Sequence, residues 1–211
     1  MRYFLGVIIG YLLGCISPTY LFSVIKNIDM RKSGTGNLGA TNAMLTLGKG
    51  FGMAVMIFDI AKAFVPVLIC KTLYANDHIL MLSVGLAAIV GHAFPFYLKF
   101  RGGKGVATLA GLVLAYNPLI FLMLFSLGGL FILLFRYVFA LPISAAMIFP
   151  VLVGIYTGAL VPTLLSIAIG AVVIFRHKRN FERVLDGTEM KITDYFKGNY
   201  KVQRVEKRKK K

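Results

Sequence analysis

Seven apolar runs, at 3–25, 51–70, 79–98, 106–116, 118–135, 141–156 and 160–175, alternate along the chain with polar connections of two kinds. After the first, third and seventh runs the chain becomes basic and polar, the first two segments rich in glycine: Ser33-Gly34-Thr35-Gly36-Asn37-Leu38-Gly39-Ala40-Thr41-Asn42, Phe100-Arg101-Gly102-Gly103-Lys104-Gly105 and Arg176-His177-Lys178-Arg179-Asn180. A helix crosses a bilayer with about 20 apolar residues. Each intervening pair of runs therefore carries the chain across and back, and the three polar segments meet at one membrane face. The pattern predicts an all-α integral membrane protein with seven transmembrane helices. The run 106–116 is the odd one: as a helix it spans only about 16 Å, against a hydrocarbon core of about 30 Å. Either the glycine turn before it sinks into the membrane or a short helix packs inside the bundle; irregular backbone at that depth is tolerated only inside protein or beside a wet cavity.

Composition agrees, with 58% hydrophobic and 15% charged residues among 211 and a mean hydropathy of +0.77, values foreign to a soluble domain. Cationic residues set the orientation, because cytoplasmic loops collect them. Lys26, Arg31, Lys32 and Lys49 follow the first run, Lys99, Arg101 and Lys104 the third, and Arg136 the fifth; Arg2 and Lys71 alone lie on the opposite side. The amino terminus is expected outside and the carboxyl terminus in the cytoplasm. Leu12-Leu13-Gly14-Cys15 resembles a lipoprotein processing site, but cleavage there would leave Lys26, Arg31 and Lys32 outside, against the charge bias of the later loops. Cys15 and Cys70 read as small core residues. The net charge of +16 gathers at the inner face and in a basic tail, 190–211, which follows a membrane domain of residues 1–189. Anionic lipid headgroups suit it better than nucleic acid, and the tail is expected to be disordered on the inner leaflet.

The candidate chemistry lies in the three polar segments. Gly34, Gly36 and Gly39 let backbone amides turn inward into an anion-binding concavity, with Thr35, Asn37, Thr41 and Asn42 as further donors. No carboxylate lies between Arg31 and Lys49, which favours phosphate over a metal ion as guest, although an interfacial loop has the same composition. Gly102 and Gly103 form a flexible turn that presents Lys104 as a point charge. This is not a Walker A loop, because Leu98 and Gly105 stand where that motif needs glycine and a hydroxyl. His177 and Asn180 share a helical face, where an imidazole can exchange a proton and an amide can orient a hydroxyl. Asp59 and Lys62, three apart inside the second run, read as a structural ion pair, and His92 as a core histidine. No catalytic triad, zinc spacing or paired carboxylates occur, and no metal or cofactor is expected.

Taken together, Gly34-Thr35-Gly36-Asn37-Leu38-Gly39-Ala40-Thr41-Asn42, then Gly91-His92-Ala93-Phe94-Pro95 running on through Gly102-Gly103-Lys104-Gly105-Val106-Ala107-Thr108, then Arg176-His177 with Asn180, Arg183 and Leu185-Asp186-Gly187-Thr188-Glu189 resemble the bacterial acyl-phosphate-dependent glycerol-3-phosphate acyltransferase family. The resemblance covers about residues 1–189. It implies a multi-pass protein of the bacterial plasma membrane, expected to be a monomer, that moves a fatty acyl group from acyl phosphate to the 1-hydroxyl of glycerol 3-phosphate, giving lysophosphatidic acid and phosphate. By the same resemblance Lys104, Gly102 and Gly103 hold phosphate and Thr35, Gly36, Asn37, Gly39, Thr41 and Asn42 add donors. His177 and Asn180 sit at the reacting centre, and Glu189 is a structural acid.

The family commonly has serine at Thr35, arginine at Leu45 and serines at Phe139 and Pro142. The missing guanidinium implies weaker acceptor binding unless Lys49, about one helical turn on, substitutes for it. A paralogue with another phosphorylated acceptor, a phosphate or organophosphate transporter, and a lipid-surface scaffold carried by the basic tail are the alternative readings.

Overall fold

The computed structural model describes residues 1–193, which form a bundle of helices. In chain order these are α1 (Arg2–Cys15), α2 (Pro18–Ile25), α3 (Ala40–Leu47), α4 (Lys49–Leu73), α5 (His78–Ala93), a 3₁₀ turn (Phe96–Leu98), α6 (Val106–Tyr116), α7 (Pro118–Phe135), α8 (Ala140–Thr157), α9 (Leu160–Arg176) and α10 (Lys178–Leu185). The tail beyond residue 193, and the disorder expected for it, lie outside the described residues.

The first apolar run is two helices rather than one. Pro18 opens α2, where its missing N–H costs nothing, and Ser17 caps that helix by accepting the Tyr20 amide at 3.3 Å. The break leaves carbonyls of α1 without helical partners, and side chains from elsewhere take them: Tyr97 donates to the Cys15 oxygen at 2.7 Å and Lys62 to the Ile16 oxygen at 3.1 Å.

Bringing apolar helices together gains nothing from the hydrophobic effect in lipid, so contact depends on close packing and hydrogen bonds. Gly6, Gly10 and Gly14 recur every four residues on α1 and face α5. A methyl group at Gly10 would stand 2.6 Å from the Val84 carbonyl oxygen, and one at Gly14 would strike the Ala88 backbone. Gly91 of α5 answers by fitting against the backbone of Tyr11 and Cys15. The same device seats α6 on α4, with Gly111 against the Ile60 carbonyl. The main core joins α5 and α6 to α8 and α9, including Leu82, Ile89, Leu112, Phe149, Ile169 and Val173.

Among the described residues, five segments are long and apolar enough to cross a membrane: 2–25, α4, 78–98, α7 and α8. A sixth is obtained if α9 and α10, bent 47° apart, count as one. The fourth of the expected spans, α6, is 11 residues long, about 16 Å. Large apolar side chains such as Ile57, Leu133, Phe135 and Ile155 point outward from the bundle, as an integral membrane protein requires.

Candidate functional site

The three polar segments do converge. The first, between α2 and α3, folds around Asn42, whose amide is fully occupied: Nδ2 donates to the carbonyls of Met30 (2.9 Å) and Asn37 (2.8 Å), and Oδ1 accepts the Thr35 amide at 2.7 Å. Gly34 and Gly36 have φ of +61° and +71°, the left-handed region that a side chain strains. A side chain at Gly34 would also run into Asn42. Asn42 therefore staples the loop and is not a free donor, a correction to the sequence reading. Thr35 and Thr41 are exposed, Gly36, Asn37 and Gly39 half-buried, and Gly39 ends the loop as the N-cap of α3. Beneath it Met30, Leu38, Ala43 and Val55 pack on Leu98.

Arg31 clamps this loop to the second segment, its guanidinium donating to the carbonyls of Leu98 and Arg101, each at 3.0 Å. The Gly102–Gly103 turn, expected to be flexible, is pinned on both edges. The Gly102 amide donates to Ala93 O at 2.9 Å and the Gly103 amide to His92 O at 3.1 Å. Arg176 donates to the two glycine carbonyls, at 2.8 Å and 2.9 Å. These amides are spent on the fold, so the turn offers placement of Lys104 rather than N–H groups of its own. Only glycine fits, because any Cβ at position 102 meets the His92 carbonyl, and one at position 103 meets the His92 ring and the Leu38 oxygen.

Lys104 Nζ donates to Asn180 Oδ1 at 2.7 Å, and Asn180 Nδ2 donates to Glu189 Oε1 at 2.6 Å. The second carboxylate oxygen takes Arg183 Nε at 2.5 Å. His177, buried where α9 ends, holds its Nδ1 2.7 Å from the Val173 carbonyl. A carbonyl only accepts, so Nδ1 carries the hydrogen and Nε2 keeps its lone pair. Burial and the Lys104 charge push the His177 pKa down to about 4; the ring is neutral at ordinary pH. Burial, with Arg183 and Arg176 nearby, lowers Lys104 to about 8, so its charge is poised to be completed by an anion.

Several residues here were not singled out from sequence as parts of the site. Arg176 lies next to His177 in the third segment, and only the structure shows it gripping the glycine turn. Phe139, which ends the α7–α8 connection, stacks on the His177 ring (centroids 6.4 Å apart, planes 22°) and meets Phe181 edge-on at 5.5 Å. Lys49 opens α4 after a break at Gly48, φ +107°. It does not continue the helix of Leu45, so Lys49 is not one turn along the same helix from position 45. Asp59 and Lys62 form the expected ion pair, 2.7 Å apart, and His92 joins them rather than standing alone.

Residues 4–187 match the family model described as glycerol-3-phosphate acyltransferase. The chain is 38% identical over 189 residues to a glycerol-3-phosphate acyltransferase of Thermoanaerobacter sp. (strain X514), covering 89% of this chain and 94% of that one. It is equally 38% identical over 186 residues to the Aquifex aeolicus protein of that name, at 87% and 95% coverage. Among solved structures it is similar to the glycerol 3-phosphate form of PlsY (YgiH), an integral membrane glycerol 3-phosphate acyltransferase, with a TM-score of 0.85 and 34% identity over 93% of this chain and 98% of that one. The lysophosphatidic acid form of the same protein gives 0.80 and 34%, at 90% and 95% coverage.

Proposed function

The chain belongs to the glycerol-3-phosphate acyltransferase family, and from that premise we propose that it is the enzyme that moves a fatty acyl group from acyl phosphate to the 1-hydroxyl of glycerol 3-phosphate, releasing lysophosphatidic acid and inorganic phosphate. The observation that carries this reading is the hydrogen bond of Lys104 to Asn180, three residues beyond the buried His177, at the pinned glycine turn. In this reading the hydroxyl oxygen attacks the acyl carbon, the bond from that carbon to the phosphate oxygen breaks, and the phosphate leaves with its electron pair. The acyl phosphate is already an activated anhydride, so the protein has mainly to hold two anions and the reacting atoms in line. Lys104 supplies the cation, and the exposed Thr35 and Thr41 of the first loop are the further donors this reading assigns. Neutral His177 accepts the substrate hydroxyl at Nε2 and orients it. With a pKa of about 4 it is a weak base, so the departing phosphate takes the proton. Asn180 holds Lys104 in place, and Glu189 holds Asn180.

The reading includes seven spans, with α6 a short one entered from the sunken turn at Lys104. It places the amino terminus outside, the three polar segments at the cytoplasmic face of a bacterial plasma membrane, and the protein as a monomer. A cysteine introduced at Arg101 should then be labelled only from the cytoplasmic side and one at Asn76 only from outside.

The test of the activity is purified protein in detergent with palmitoyl phosphate and glycerol 3-phosphate. Phosphate release matched by lysophosphatidic acid supports the acyltransferase. Transport of labelled phosphate into proteoliposomes with no lipid product replaces it with a transporter.

A further inference from the structure

Behind the glycine turn lies a charged cluster that the proposed chemistry leaves unused. Asp59, Lys62 and His92 are 2%, 5% and 7% exposed. Ionisable groups at such depth in a membrane bundle are costly and point to a function. We propose that these three residues are positioning residues for the turn at Gly102 and Gly103, and through it for Lys104.

An ammonium group has three hydrogens and no lone pair. Lys62 donates to the Ile16 carbonyl at 3.1 Å, meets His92 Nδ1 at 2.6 Å, and forms an ion pair with Asp59 Oδ1 at 2.7 Å. With Lys62 held as the ammonium by Asp59, His92 Nδ1 accepts at 2.6 Å, a closer contact than its 3.4 Å approach to Asp59 Oδ1. The neutral ring therefore carries its hydrogen on Nε2, the atom that lies against Gly103. The contact with Lys62 fixes both the tautomer and the tilt of the imidazole. The same residue's carbonyl takes the Gly103 amide, and the neighbouring Ala93 carbonyl takes that of Gly102. His92 thus holds the turn from the ring side and the backbone side together. Lys62 also ties the break in the first span to this point, and Tyr11 adds a hydrogen bond to Phe94 O at 3.1 Å. From Ile16 to Lys104 the chain of contacts is continuous: a bare ion pair within α4 would not need it, and a turn that must hold a cation at a fixed place would.

The proposal rests on the anion-holding role given to Lys104, and its test separates the two. The full-length protein is compared with His92→Leu, which fills similar space without an acceptor, and His92→Asn, whose amide oxygen stands where Nδ1 stood. In His92→Leu, hydrogen exchange of the Gly102 and Gly103 amides should rise about tenfold. KM for palmitoyl phosphate should rise about tenfold with kcat changed less than about threefold, the pattern of lost ground-state placement. His92→Asn should return both toward the parent. Exchange unchanged in His92→Leu, or an Asn variant no better than the Leu variant, overturns the proposal. Should His92→Leu not fold, the double variant Asp59→Asn/Lys62→Met removes both charges at once and must raise the same exchange. If the parent protein makes no lysophosphatidic acid, the acyltransferase reading fails while the exchange comparison still decides the positioning role.

Discussion

Lys104 and Asn180 meet in a 2.7 Å hydrogen bond although four helices separate them along the chain. The bond fixes the orientation of the Asn180 amide. Its oxygen alone can accept the ammonium, and its nitrogen alone can donate to Glu189, so the cation is held by an uncharged acceptor. A carboxylate there would neutralise Lys104 and weaken its pull on a phosphate.

Lys104→Ala and Asn180→Ala should each lower turnover about a hundredfold, the scale seen when one preorganised transition-state contact is removed. Phosphate release by the purified variants measures it, beside circular dichroism to verify folding. Parent-like rates in either variant remove that residue from the reacting centre.

The lowered Lys104 pKa of about 8 gives a signed pH dependence. Below pH 8 the ammonium is charged and binds anions; above it the group loses its proton and substrate affinity falls. KM for the phosphorylated substrates should therefore climb through pH 8 to 9, and Lys104→Arg, which stays charged, should flatten the climb. A KM independent of pH over that range contradicts this assignment.

Asn42→Ala removes three hydrogen bonds from the first loop and leaves the buried Met30 carbonyl and the part-buried Asn37 carbonyl without that donor. The expected cost is about 1–3 kcal/mol for each unsatisfied buried group, seen as a lower melting temperature and faster proteolysis between residues 30 and 42. Thr41→Ala, at an exposed position, should leave stability unchanged.

Phe139 covers one face of the His177 ring. Such an aromatic contact contributes about 0.5–1.5 kcal/mol, so Phe139→Ala should reduce kcat about two- to tenfold by loosening the imidazole. The alkaline rise in KM due to Lys104 should remain where it was. Kinetics across pH separate the two effects.

Leu45 lies half-buried on α3, the helix that the first loop enters. Leu45→Arg should add a charge-assisted contact of about 1.5–3 kcal/mol and lower KM for glycerol 3-phosphate about tenfold or more. An unchanged KM would mean that α3 does not face the acceptor.

The sequence exposed those features whose chemistry is local. Apolar runs predict helices because the period and length belong to each segment, and Lys104, His177 and Asn180 stand out as polar groups beside such runs. It could not tell which donors are already consumed. Asn42 and the amides of Gly102 and Gly103 looked free because their partners, Met30, His92 and Ala93, are set by the fold. His92 and Lys62 lie on different helices, so the acceptor role of His92 could not be read from its own surroundings. The break in the first span had a local signal, Ser17-Pro18, an N-cap followed by a first-turn proline. It was hidden by the unbroken hydropathy around it.

The contacts of the Lys62 ammonium also make three separate stretches of the chain depend on one another. When α4 enters the bilayer, Asp59 three residues away can neutralise Lys62, but the remaining two hydrogens have no acceptor on their own helix. One is supplied by the broken end of α1, made earlier, and the other by α5, made later. α4 alone therefore cannot satisfy its own buried cation, and the foundation under the glycine turn is complete only where α1, α4 and α5 stand together.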